Sequence, residues 1–442
     1  MIYHFGTDGI RGRVGHNLNI DLAFKIGKYL GNHFVNKDIV IGKDTRISSD
    51  VLESALCSGI ASTGANVYKV GYCSTPTIPY LIHKTGYCCG IMISASHNPF
   101  YDNGIKIFDN KGKKISPLLE KSIEEYINGS TDNIPFSSDD SLGRIYEDSS
   151  LLKSYKQHVV NMFANKVGKF NVLLDTANGS ASYTALDIFK ALDINVDILH
   201  NEPDGININN GCGSTHIEFL QTKMKDSKYD IGFSYDGDAD RIIAVNNDGV
   251  IIDGDYILYI ISKYLKDINK LNNNKLVTTV MANIGLQIAL KQNDIECEFT
   301  PVGDKYVYEV IENDNLSLGG EQSGHIICPI YNLSGDGVVI SLVILSIMSH
   351  YNKPINELIK DFKKFPQALV NVKVKDKNIV LNDKDILAKI NQIESELGEV
   401  GRILVRPSGT EPLIRVMVES ETEEKCNELV HVIIDMIKEK NY

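Results

Sequence analysis

Residues 91–108 read IMISASHNPFYDNGIKIF, from Ile91 to Phe108, and the remainder of the chain is best read outward from them. Ile91-Met92-Ile93 is an apolar run with the length of a buried strand, and it stops at small polar residues. Ser94, Ala95 and Ser96 lead into His97-Asn98-Pro99, where proline ends regular pairing and the chain must turn. A serine at the carboxyl end of a buried strand, in a tight turn, is held rigidly over a crevice. Asn103-Gly104 predicts a second turn, and Lys106 follows with one cationic side chain. Taken alone, Ser-His-Asn-Pro fits a plain connecting loop equally well. Three other stretches, far away in sequence, favour chemistry.

Composition bounds the rest. A chain of 442 residues exceeds what one core supports and predicts three or four domains. Its apolar fraction of 43% and charged fraction of 23% are ordinary for a soluble globular protein. A net charge of −12 gives no reason to expect nucleic acid or an anionic membrane as partner. Any phosphate-bearing ligand must therefore be met by locally placed Arg, Lys and backbone N–H groups. Gly6, Asp8 and Gly9 interrupt any charged-then-apolar leader pattern. The longest apolar run, Gly337 to Met348, is too short to span a bilayer and predicts a buried helix. Eight cysteines without a Cys-x-x-Cys pair read as small core residues in a reducing cytoplasm, with no disulfide frame or zinc site.

Strand and helix signals alternate along most of the chain. Asp38–Gly42, Asn66–Val70 and Ile91–Ile93 predict strands, with a helix over Ser48–Gly64. Strands are also expected at Asn171–Asp175, Ile194–Leu199 and Ile231–Tyr235, and again near Lys275–Met281, Cys297–Val302 and Leu316–Gly319. From about Gln367 the texture changes to a strand at Leu369–Val374 and a final helix at Glu421–Lys440. This alternation implies α/β architecture with parallel or mixed sheets, whose ligands bind at the carboxyl ends of strands.

Four stretches carry the chemistry. Asp236-Gly-Asp-Ala-Asp240-Arg241 sets three carboxylates two residues apart, so that all three converge on one hard cation. A calcium EF-hand would want glycine sixth and glutamate twelfth, where this chain has Arg241 and Asn247. An oxygen-only set with open positions suits Mg²⁺ shared with a phosphoryl group. Arg406-Pro-Ser-Gly-Thr-Glu-Pro-Leu-Ile-Arg415 offers two guanidinium groups, two hydroxyls and a glycine-permitted nest of N–H donors, the inventory of a phosphate-binding loop. Gly319-Gly-Glu-Gln-Ser-Gly-His325 presents a carboxylate, an amide, a hydroxyl and an imidazole, groups suited to the hydroxyls of a sugar. It is not a nucleophile elbow, and no Gly-x-x-x-x-Gly-Lys-Ser/Thr stretch exists. Phe5-Gly-Thr-Asp-Gly-Ile-Arg11-Gly is either a glycine-rich turn delivering Arg11 to a phosphoryl group or a flexible entry to the first strand.

In this order the stretches FGTDGIRG, ISASHNPFYDNGIK, NINNGCGST, DGDADR, GGEQSGH and RPSGTEPLIRVM resemble the α-D-phosphohexomutase superfamily, and the resemblance runs from end to end. It implies four domains around a central cleft: three related α/β domains with mixed sheets and a smaller α+β C-terminal domain. Boundaries are expected at 1–150, 151–252, 253–366 and 367–442. The resemblance further implies an isomerase that moves a phosphoryl group between the 1- and 6-positions of a hexose phosphate through a 1,6-bisphosphate. Ser96 would be the phosphorylated carrier. One Mg²⁺ per active site would be held by Ser96, Asp236, Asp238 and Asp240. Arg11 and Lys106 would stabilise the transferring charge, with Lys106 or His325 assisting proton transfer and His97 orienting the loop. Glu321, Gln322 and Ser323 would bind the sugar, while Arg406, Ser408, Gly409, Thr410 and Arg415 hold the phosphate that is not reacting. Gln322 stands where relatives using glucose or mannose phosphates typically have methionine, so the expected substrates are the glucosamine phosphates, feeding UDP-N-acetylglucosamine and cell-wall precursor synthesis. Lys305 stands where arginine is more usual, keeping the charge but losing the planar fork. A cytoplasmic monomer or homodimer is expected, with neither nucleic acid nor membrane as partner.

Two rivals share parts of this reading. A metal-assisted serine phosphatase would use the same nucleophile but has no use for a second phosphate clamp. A sugar-phosphate sensor would not need Ser96 and the aspartate triplet together.

Overall fold

The strand predicted at Ile91 begins two residues earlier, at Cys89, and every residue of Cys89–Ile93 is buried. That observation comes from a computed structural model of the chain, which describes all residues except 1, 2, 7, 226, 227, 333, 409–411 and 441. Strands β1 (Ile10–Arg13), β2 (Asp38–Lys43), β3 (Asn66–Tyr72), β4 (Cys89–Ile93), β5 (Asp102–Phe108) and β6 (Ile145–Glu147) form one sheet in the order β1-β5-β4-β2-β3-β6. The centre is parallel, β4 to β2 and β2 to β3, while β5 runs antiparallel to both β4 and β1. A strand buried on both faces in a parallel pair reads as an unbroken apolar run, and β4 does so.

One expectation is corrected here. Asn103-Gly104 does not turn; both residues lie inside β5, opposite Gly12 and Arg11 of β1. The turn comes earlier, closed by the Asp102 N–H donating to Pro99 O at 3.1 Å. Buried Asn103 is satisfied by donating to the hydroxyls of Ser48 and Ser49, at 2.9 and 3.0 Å. Gly104 is required by crowding, since a Cβ there would stand 2.5 Å from Ser94 O.

A second sheet holds β7 (Asn171–Asp175), β8 (Asn195–Leu199), β9 (Ile231–Tyr235), β10 (Ile242–Asn246) and β11 (Ile251–Ile252), ordered β11-β10-β9-β7-β8. It is parallel across β8, β7 and β9 and antiparallel beyond. A third comprises β12 (Lys275–Thr279), β13 (Glu296–Thr300), β14 (Gly319–Gly320) and β15 (Ile326–Ile327). Here the strand expected over Leu316–Gly319 is reduced to the two residues of β14. The run from Gly337 forms the helix Gly337–Tyr351, buried from Gly337 to Met348 and capped by the Asp336 carboxylate, which accepts from Val339 N–H at 3.0 Å. Its first N–H donates to Ala239 O at 2.9 Å, so this helix ends against the aspartate loop.

The chain divides into two compact units, Met1–Val280 with Cys297–Ile359, and Met281–Glu296 with Lys360–Tyr442. The second unit contains an antiparallel sheet of β16 (Gln367–Lys373), β17 (Arg402–Pro407) and β18 (Leu413–Glu419), ordered β16-β18-β17. The helix Glu423–Glu439 contributes Cys426, Val430, Ile433 and Ile434 to the core beneath it. Among the described residues, no helix is long and apolar enough to cross a membrane.

Candidate active site

The turn after β4 and the turn after β9 meet. Ser96 has φ 55°, a left-handed conformation that non-glycine residues adopt only where their surroundings hold them. Its hydroxyl donates to Asp236 Oδ2 at 2.5 Å. Asp236, Asp238 and Asp240 follow β9, and one carboxylate oxygen from each lies within 4.8 Å of the others. The convergence expected from period-two spacing is present, with a kink at Ala239 (φ 57°) rather than an extended chain delivering it.

The cluster is partly neutralised from within. Lys106, on β5, places Nζ 2.8 Å from Asp238, 3.2 Å from Asp240 and 2.9 Å from Asp8. Arg11, on β1, donates to Asp8, so the N-terminal stretch presents an acid–base pair beside Lys106. Thr75 binds Asp238 twice, through its N–H to the main-chain oxygen at 2.9 Å and through its hydroxyl to Oδ2 at 2.5 Å. Yet among the described residues Asp238 Oδ1 and Asp240 Oδ1 are buried and accept no hydrogen bond, Asp240 Oδ1 having only the longer approaches of His325 Nδ1 at 3.7 Å and Arg241 Nε at 3.9 Å. Buried carboxylate oxygens without a donor are costly, and a hard cation is the partner that their chemistry suits. The donor set therefore fits a divalent metal.

Neighbouring charges drive the site's acids and bases apart. Burial, with Asp240 and Asp238 alongside, holds Asp236 well above the usual carboxylate range. Burial also opposes ionisation of Asp240, but Lys106 and His325 more than reverse this and hold it well below. Burial pushes Lys106 down, and Asp238, Asp8 and Asp240 more than compensate, so its ammonium persists far above neutral pH. His325 Nδ1 stands 3.7 Å from Asp240, and Nε2 stands 3.8 Å from Asp304. Burial again opposes its charge, but Asp240 and Asp304 raise its pKa to about 9. His97 goes the other way: burial, then Arg241 and Arg11, lower it to about 4. Its Nδ1 lies 3.4 Å from Ser96 Oγ and 3.3 Å from an Arg241 guanidinium nitrogen. A cavity of about 220 Å³ opens beside the cluster, with Asp8, Lys106, Asp240, His325, Lys305 and Tyr308 among the residues of its wall.

Glu321, Gln322 and Ser323 form the turn between β14 and β15, closed by Glu321 N–H to His325 O at 3.0 Å. Glu321 is buried and accepts from Gly303 N–H at 3.2 Å, Gln322 is half-buried and Ser323 is exposed. Gly324 (φ 91°) permits a close approach, since a Cβ there would meet Ile242 O at 2.0 Å. This turn thus packs on the strand that leaves the aspartate loop.

In the second unit, Arg406 of β17 and Arg415 of β18 are direct cross-strand partners. Like charges facing each other across a ladder destabilise it unless an anion intervenes. Burial and the neighbouring Arg415 both lower the pKa of Arg406. Ser408 follows, its N–H donating to Leu413 O at 2.9 Å and its carbonyl accepting from Lys377 at 2.7 Å. Gly409 and Thr410 lie outside the described residues.

Sequence reasoning missed several neighbours. Asp8 and Arg241 sat inside quoted stretches without a role, although an acid three residues before Arg11 was a visible signal. Thr75 and Asp304 carried no local signal, because the contacts bringing them here are long-range, as is that of Arg46, whose guanidinium donates to Ser96 O at 3.0 Å. A second gathering of potential ligands, Asp175, His200 and Cys212, is a structural staple. Asp175 already accepts from Ala177 N–H at 2.9 Å, Gly213 N–H at 3.0 Å and His200 at 3.0 Å.

A serine set among three carboxylates, at the ends of strands in successive mixed sheets, suits phosphoryl transfer, and the comparisons place the chain in the phosphohexomutase class. Family models support this along the chain: phosphoglucomutase/phosphomannomutase alpha/beta/alpha domains I, II and III match residues 3–133, 152–249 and 253–365, and the C-terminal domain matches 369–436. A phosphoglucosamine mutase of Lachnoclostridium phytofermentans is 44% identical over 443 residues, covering 99% of each chain. Among solved structures, a phosphoglucomutase/phosphomannomutase family protein of Burkholderia thailandensis superposes with TM-score 0.82 at 22% identity, covering 99% of this chain and 98% of the other. An N-acetylphosphoglucosamine mutase of Aspergillus fumigatus, solved with GlcNAc-6P and magnesium, gives 0.72 at 17% identity, covering 100% and 96%. The chain belongs to the phosphoglucomutase/phosphomannomutase family and, within it, with the phosphoglucosamine mutases, which are isomerases.

Proposed function

We propose that the protein interconverts D-glucosamine 6-phosphate and α-D-glucosamine 1-phosphate, with Ser96 as the phosphoryl carrier and a 1,6-bisphosphate as intermediate. The observation carrying this reading is the Ser96 hydroxyl 2.5 Å from Asp236, inside a cluster with two unsatisfied buried carboxylate oxygens.

In the forward step the P–Oγ bond of phosphorylated Ser96 breaks as a bond forms from phosphorus to the free sugar hydroxyl. Ser96 Oγ ends with a proton, and the sugar hydroxyl gives one up. Lys106 or His325 assists the proton transfer: one of them gives a proton to Ser96 Oγ as the P–Oγ bond breaks and takes up the proton that the sugar hydroxyl releases, which closes the balance. The bisphosphate then turns over and passes its other phosphoryl group to Ser96. Arg11 and Lys106 offset the charge on the moving group, and His97, neutral beside Oγ, orients the turn. Asp236, Asp238, Asp240 and the Ser96 phosphate would hold Mg²⁺, whose bound form neutralises charge on the transferring phosphoryl group.

Arg406, Ser408, Gly409, Thr410 and Arg415 clamp the phosphate that is not reacting, a role for which the facing arginines are suited. Glu321, Gln322 and Ser323 hold the sugar and select the amino group. On this reading the domains run 1–150, 151–252, 253–366 and 367–442, the enzyme works in the cytoplasm as a monomer or homodimer, and its product feeds UDP-N-acetylglucosamine synthesis. The direct test is conversion of glucosamine 6-phosphate to the 1-phosphate with inorganic phosphate followed in parallel. Release of phosphate without isomer would point to a phosphatase instead.

A further inference from the structure

We propose that Arg46 and Asn209 are positioning residues: a two-armed clamp that holds the Ser96 turn in its left-handed conformation for transfer. This rests on Ser96 being the carrier. The two side chains arrive from opposite sides, Arg46 from the end of β2 and Asn209 from the loop following β8. They converge on the same two acceptors. Ser96 O accepts from Arg46 Nη2 at 3.0 Å and from Asn209 Nδ2 at 2.9 Å. Asn98 O accepts from the same two nitrogens at 2.6 and 3.1 Å. Each carbonyl oxygen thus has both lone pairs engaged.

Both arms are anchored. Arg46 is fully buried, and its guanidinium donates to Asp44, whose carboxylate also accepts from Ser49 at 3.0 Å and from Arg46 N–H at 3.1 Å. Asn209 is buried, with φ 57°, and its N–H donates to Ala177 O at 3.0 Å. The loops carrying the arms are stapled together, Thr45 hydroxyl to Asn178 O at 2.6 Å and Ile47 N–H to Gly205 O at 2.9 Å. Gly237 of the aspartate loop closes over the clamp, since a Cβ there would lie 2.6 Å from Ser96 O and 2.8 Å from Asn209 Nδ2. Fixing the carbonyls on either side of His97 fixes the direction of the Ser96 Cα–Cβ bond, which aims Oγ at Asp236. A serine with positive φ relaxes when unheld, and the load on this turn changes each time its phosphoryl dianion arrives or leaves.

The clamp's bonds to the turn go to backbone oxygens alone, so its loss should appear in kcat. Asn209→Ala should lower kcat roughly tenfold or more, as misaligned reacting atoms do. The KM for sugar phosphate and the Mg²⁺ concentration for half-activation should stay within about twofold of wild type. Asn209→Asp, which turns a carboxylate on two carbonyl oxygens, should fall further, and Arg46→Lys should shift in the same direction. Single-turnover transfer from phosphorylated enzyme to sugar should slow in parallel, a change that a merely structural contact would not produce without a lower melting temperature. If Asn209→Ala does not fold, Asn209→Ser, which keeps one shorter donor, is read by the same criteria. Wild-type transfer rates, or a loss confined to KM or Mg²⁺ affinity, would overturn the clamp. Phosphopeptide mapping separates the two claims: label absent from Ser96 in the wild type sinks the carrier, whereas label on Ser96 with unchanged transfer in Asn209→Ala sinks only the clamp.

Discussion

The aspartate loop after β9 and the arginine pair on β17 and β18 are both concentrations of like charge, but they are built differently. The loop is met by a counterion from β5, Lys106, 2.8 Å from Asp238 and 3.2 Å from Asp240, and two carboxylate oxygens accept no hydrogen bond among the described residues. The arginines face one another in register, and burial together with this juxtaposition depresses Arg406. Partial neutralisation suits a site where charge moves during the reaction, as it would if the proposed phosphoryl group comes and goes at Ser96. Two guanidinium groups facing one another in register suit a grip on a permanent dianion. The first arrangement should govern turnover and the second affinity.

The largest expected effect is at Ser96. Ser96→Ala should abolish isomerisation while leaving the circular dichroism and melting temperature near wild type, since the hydroxyl's one strong bond goes to Asp236. Residual turnover at a wild-type rate would remove the carrier from the account. Next come the carboxylates: chelation of Mg²⁺ should stop transfer, and replacing any one of Asp236, Asp238 and Asp240 by Asn should raise the Mg²⁺ concentration for half-activity. Transfer that continues unchanged in excess chelator would refute a metal role.

The arginine pair should behave as a binding element. Truncating Arg406 or Arg415 to Ala removes charge-assisted bonds worth about 1.5–3 kcal/mol, weakening hexosamine phosphate binding roughly tenfold or more. Calorimetry on a variant lacking both should show the larger loss, and unaltered affinity would contradict the clamp. The smallest effect is at Gln322. A hydrogen bond to a charged amino group supports about a ten- to hundredfold preference for glucosamine over glucose phosphate, and Gln322→Met should narrow that gap more than it slows the enzyme. Values of kcat/KM for both sugars in both proteins decide it.

Much of this was legible in the chain, and unevenly so. The buried strands β4, β7 and β9 were plain because apolar runs ending at small polar residues report local burial. The Asp236–Asp240 triplet was plain because its chemistry lies within a few residues. Asn103-Gly104 misled because the sequence signal for a turn is identical to that for two small residues at a crowded crossing, and only the approach of Ser94 O distinguishes them. Asp8, Thr75, Arg46 and Asn209 escaped because each acts on a partner far away in sequence: Thr75 on Asp238, Arg46 and Asn209 on the Ser96 turn. Local pattern reveals what an element is, but says little about which distant backbone oxygen its side chain reaches.

On the proposed mechanism Ser96 holds the phosphoryl group during turnover. Intact mass before and after incubation with a hexose 1,6-bisphosphate, followed by peptide mapping, tests it directly. The expected result is a gain of one phosphoryl group, located on Ser96 and lost again on adding glucosamine 6-phosphate. A phosphoryl group on Ser94, or none at all in an enzyme that still isomerises, would contradict it.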